Sequence, residues 1–69
     1  MTTEKKELIN CQINWLRELN TSYYVIVSRL DKLNSSCSEK EKMREELMHA
    51  YNKNCKEIDK LINTLIDEN

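Results

Sequence analysis

Neither glycine nor proline occurs anywhere in the 69 residues. These are the two strongest helix breakers, and the tight turns of β-structure depend on them. The chain is therefore biased towards long uninterrupted helices and away from all-β folds. Within that bias, apolar residues return every three or four positions. Ile9, Ile13, Leu16, Tyr23, Val27 and Leu30 form one stripe, with Asn20 in the slot between Leu16 and Tyr23. Leu19, Ile26 and Leu33 run beside it at intervals of seven. Together they make an apolar face broader than a two-stranded zipper seam, suited to a helix with more than one neighbour. Taken alone, SYYVIVSRL reads as a strand, being β-branched and aromatic. The helical period continues on both sides of it, so helix is the reading adopted.

Start and stop signals divide the chain once. Thr2 and Thr3 followed by Glu4 form a helix start, a hydroxyl cap with an acid in the first turn. NSSCSE is the single break. Asn34 can end a helix in the left-handed conformation. Ser38 with Glu41 three residues later is a capping box. The sequence thus predicts one domain over 1–69, with a helix over about 4–33, a loop over 34–38 and a second helix over about 39–67. The second stripe is Leu47, Tyr51, Asn54, Ile58, Leu61 and Leu65, flanked by Met48, Cys55 and Ile62. Two long helices joined by a short loop fold back as an antiparallel hairpin. Residues whose numbers sum to roughly 72 to 74 then face one another, which sets Asn20 at the level of Asn52 to Asn54. Asn20 and Asn54 either meet across the seam and fix its register, or both point to solvent at its edge.

The expected fold class is all-α: a two-helix hairpin that completes a bundle or coiled coil by dimerising or with a helical partner. A chain this short buries only roughly 60% of the surface it exposes when unfolded, so a lone core is marginal. Two helices do not cover a face this wide, and a homodimer is the simplest solution. Trp15 and Tyr24 lie outside the central row and are the aromatic candidates for partner contact. Ile26, Leu33, Cys55 and Ile62 flank the stripes and complete the predicted partner-binding set.

Other classes are disfavoured. With 11 basic and 12 acidic residues the net charge is −1, without the basic surplus of a nucleic-acid binder. The cluster Lys53, Lys56 and Lys60 on one helix face keeps an RNA-binding hairpin dimer as a minor reading. No apolar run is long enough to span a membrane. MTTEKKELIN lacks the apolar core of a secretory signal, so an intracellular, cytoplasmic protein is the default expectation. Cys11, Cys37 and Cys55 are odd in number and widely spaced, which favours thiols over disulfides or a zinc site. His49 has no nucleophile beside it, and two helices offer little concavity for a substrate. No cofactor, metal or small-molecule substrate is expected, and the chain reads more readily as a regulator or adaptor than as an enzyme.

One segment points elsewhere. CKEIDKLI resembles the S-x-E-L-D-x-L-I motif on the second helix of small sporulation-control phosphatases of spore-forming bacilli, the stage-zero-E type. The matching positions are Glu57, Ile58 in place of Leu, Asp59, Leu61 and Ile62. Ile13, Leu16 and Arg17 match the I-x-x-L-R often found on that family's first helix. The resemblance implies a helical hairpin that removes phosphate from the aspartate of a response regulator, with Cys55, Glu57, Ile58 and Asp59 as the motif residues. Cys55 stands where the family has Ser and Lys56 where Gln is common, so an amide that could orient the attacking water is missing. Both helices are also longer than the family's.

Overall fold

The computed structural model describes residues 2–34 and 37–67. It is an antiparallel hairpin of two α-helices, α1 (Thr3–Asp31) and α2 (Ser38–Asp67). Each is close to thirty residues, about 45 Å long at 1.5 Å per residue, and the rod measures 51 × 14 × 12 Å.

Thr2 caps α1 as predicted. Its backbone is extended, and its Oγ1 accepts a hydrogen bond from the Lys5 backbone N–H at 3.2 Å. The segment SYYVIVSRL is helical throughout. Hydroxyls within the helices turn back onto the preceding turn. Thr21 donates to the Arg17 carbonyl at 3.0 Å, Ser22 to that of Glu18 at 3.2 Å, and Thr64 to that of Lys60 at 2.9 Å.

The far end of α1 departs from the sequence reading. The helix closes at Asp31, two residues early, and no described residue has a positive φ, so Asn34 is not a left-handed cap. Instead the chain tightens. The Lys32 N–H donates to Arg29 O at 3.2 Å, and the Leu33 N–H donates to Leu30 O at 3.1 Å. Lys40 Nζ donates to Leu33 O at 3.0 Å, and Arg44 Nε donates to Asp31 Oδ1 at 2.8 Å. Cations from α2 thus satisfy the open end of α1, where the helix dipole favours them. Ser38 is the first residue of α2 rather than its cap, and Cys37 O accepts from the Glu41 N–H at 3.3 Å.

The core is thin. Ile13, Leu16 and Ile58 form its centre, with Ile9, Leu61, Ile62 and Leu65 packed around them at the end away from the turn. Val27 is buried nearer the turn, and no side chain is wholly inaccessible among the described residues. Asn20 lies between these groups, only 7% exposed. It does cross the seam, but not to Asn54. Its Nδ2 donates to the Tyr51 carbonyl at 3.3 Å and to Cys55 Sγ at 3.4 Å, while Oδ1 is buried with no partner. One residue turns a helix by about 100°, so Tyr51 and Cys55, four apart, lie within about 40° of each other on the face that meets Asn20, and Asn54 sits to one side.

Candidate interaction surface

Two flanks of the hairpin remain open, and they differ in chemistry. On α1 the apolar residues Leu8, Trp15, Ile26 and Leu33 follow one another at intervals of seven, eleven and seven. Those steps are about two, three and two turns, so Leu8, Trp15 and Ile26 share one side and Leu33 continues their line just past the last turn. All four are exposed, Trp15 at 59%. Half-buried Leu19 lies within the same band. Exposed Leu residues scattered singly need no explanation, but a row that includes Trp and runs most of the helix does.

Tyr24 is nine residues, about two and a half turns, from Trp15 and therefore projects on the opposite flank. There it helps to line an open cleft of about 440 Å³ between the helices, with Arg17, Asn20, Thr21, Tyr51, Cys55 and Ile58. The cleft was not expected from a two-helix chain. Asn20, the polar residue in a row that otherwise carries Ile, Leu, Tyr and Val, stands in its wall.

The six residues predicted to bind a partner are thus not one patch. Trp15, Ile26 and Leu33 belong to the outer stripe, while Tyr24 and Cys55 belong to the cleft. Ile62 is half-buried against the Ile13–Leu16–Ile58 cluster and serves the hairpin's own core. Leu8 and Met43, exposed at 69% and 50%, were missed. The seven-residue step back from Trp15 to Leu8 was the available signal.

The phosphatase-like positions are divided too. Cys55 lines the cleft and Ile58 is core, whereas Glu57 is half-buried and Asp59 exposed. Arg17 and Cys55, from the two halves of the resemblance, do share the cleft. The amide nearest them, Asn20, already donates to Tyr51 and Cys55. His49 is exposed, and no group of three or more His, Cys, Asp or Glu side chains suited to a metal ion occurs among the described residues. A shift in proton affinity lies at the turn. There the hydrogen bond from Arg44 to Asp31, then the Asp31 charge, holds the guanidinium above its ordinary value. This is a feature of an exposed ion pair, not of a reactive centre. No helix among the described residues is long and apolar enough to cross a membrane.

No protein-family model matches the sequence, and neither a curated protein nor a solved structure matches it at the significance required.

Proposed function

We propose that the chain is a small helical regulatory or adaptor protein that acts by protein–protein interaction, docking the outer stripe of α1 against another helical surface. The observation that carries this reading is the exposed series Leu8, Trp15, Ile26 and Leu33, with half-buried Leu19 and polar Ser22 between its two halves, joined from α2 by exposed Met43. Trp is the residue type most enriched among interface anchors. The test is affinity capture from the native host with the wild-type chain and with Trp15→Glu, followed by identification of what is retained. The reading expects specific partners on the wild type, copies of itself included, that the variant loses. If the variant retains everything the wild type does, the stripe is not the docking surface.

A second reading, an aspartyl-phosphate phosphatase-like regulator, is favoured by one observation only: Arg17 and Cys55 line the same cleft. It requires Asp59→Ala to abolish loss of phosphate from a phosphorylated receiver domain while helicity is unchanged. Equal rates for wild type and variant would remove it.

A further inference from the structure

Resting on the interaction reading above, we infer that the partner seated on the α1 stripe is a second copy of this chain, packed antiparallel about a twofold axis at the level of Asn20 and Thr21. The stripe is self-complementary. Positions 8 and 33, 15 and 26, and 19 and 22 each lie at equal distances from that level. A twofold axis there sets Leu8 against Leu33 of the second copy, Trp15 against Ile26, and Leu19 against Ser22. Four apolar layers arise from one sequence, two pairs each made twice, and the small Ser22 gives room at the centre. A closed twofold interface demands this: the same patch on both chains, each residue meeting its counterpart in reverse order.

The second helix obeys the same axis. Asn20 bonds to Tyr51 and Cys55, so the twofold level crosses α2 near Asn52. Met43 and Leu61 lie nine residues to either side of Asn52. They are eighteen residues, about five turns, apart and so on one side of α2, about 120° round from Cys55 and away from the cleft, Met43 exposed and Leu61 half-buried at the edge of the hairpin's own core. An axis chosen from α1 alone therefore also brings Met43 opposite Leu61 of the second copy. Charge agrees with the direction. Glu7 flanks the start of the stripe and Lys32 its end. An antiparallel pair brings these together across the interface, whereas a parallel pair sets like against like.

The area fits as well. A compact monomer of 8.3 kDa exposes about 4,600 Å². This chain exposes 5579 Å². The excess of about 1,000 Å² is close to the ~800 Å² that each partner contributes to a standard interface. The radius of gyration, 15.9 Å, likewise exceeds the ~11 Å expected for a compact chain of this length.

The test uses the full chain in two arms. Sedimentation equilibrium should give about twice the 8.3 kDa chain mass, and Ile26→Glu should weaken association by about 100-fold or more by placing a charge against Trp15. In the second arm the native cysteines are replaced by serine, and Leu8→Cys and Leu33→Cys chains are made separately. A short thiol crosslinker should join the two chains when mixed and neither chain to itself. A monomer across the micromolar range overturns the second copy as partner, while leaving the docking reading to the capture experiment. A dimer that survives Ile26→Glu but is lost in Tyr24→Glu overturns the choice of flank. A Leu8→Cys chain that crosslinks to itself overturns the antiparallel register. The crosslinking arm decides even where a charged variant fails to fold.

Discussion

Replacing Asn20 with leucine should make this protein more stable, although it removes both side-chain hydrogen bonds that tie the helices together at mid-height. The bonds are long ones, 3.3 Å to a carbonyl and 3.4 Å to a thiol sulfur. Together they are worth about 1 kcal/mol. The Tyr51 carbonyl keeps its place in α2 and is not left bare, because helical carbonyls have their own amide partner. On the other side stands Oδ1, buried without a partner, whose removal recovers about 1–3 kcal/mol. Filling the slot with an apolar side chain adds about 1.5–2 kcal/mol of burial. Roughly 1 kcal/mol is set against this for imperfect fit in a core that did not evolve around Leu. The net is a gain of about 0.5–3 kcal/mol, or roughly 2–24 °C in Tm for a domain of this size. Thermal unfolding followed by circular dichroism reads it, at matched chain concentration because association raises Tm by mass action. Asn20→Asp is the counterpart. A buried carboxylate facing the Tyr51 carbonyl raises its own folded-state pKa, so that variant should be weak at neutral pH and regain stability as pH falls. A drop of about 5 °C or more in Tm for Asn20→Leu would show that the amide is a net stabiliser and that this accounting is wrong.

Three further outcomes follow from the packing. Ile13→Ala should cost about 2–4 kcal/mol, enough to unfold much of so thin a core, and a denaturant midpoint within error of wild type would contradict the placement of the core. Thr2→Ala should remove the cap of α1 at about 1 kcal/mol, visible as faster amide exchange at Lys5 and Lys6 with the rest of the helix unchanged. Labelling with a maleimide should modify exposed Cys11 and Cys37 quickly and the half-buried Cys55, which accepts a bond from Asn20, more slowly; equal rates at all three would count against the closed seam.

The hairpin was legible because helix period, Thr2 and the single break each pointed to it independently. Periodicity survives a local strand-like stretch such as SYYVIVSRL, since burial on one face outweighs intrinsic preference. What the pattern does not carry is rotation. Summing residue numbers gives the level at which chains meet, but Asn54 and Cys55, adjacent in level, differ by about 100° in bearing. An Asn20–Asn54 contact, one of the two arrangements the sequence left open, has the right height and the wrong bearing. The same gap merged two flanks into one partner-binding set, placing Tyr24 with Trp15 although a half-turn separates them. The end of α1 was misjudged for another reason. The Leu33 carbonyl, just past the last turn of α1, is satisfied by Lys40, seven residues further on, and no local signal reports a contact supplied by the next helix.

The hairpin topology places Thr3 and Asp67 at one pole of a 51 Å rod and the turn at the other. Anything that continues from either helix end leaves from the same pole, clear of the middle of the stripe. In the antiparallel pair inferred above, two such attachments would depart in opposite directions, held apart by roughly the length of the rod. The assembly would then be a spacer whose span is fixed by helix length, and lengthening both helices by equal heptads would lengthen the gap by about 10 Å each time without changing what is joined.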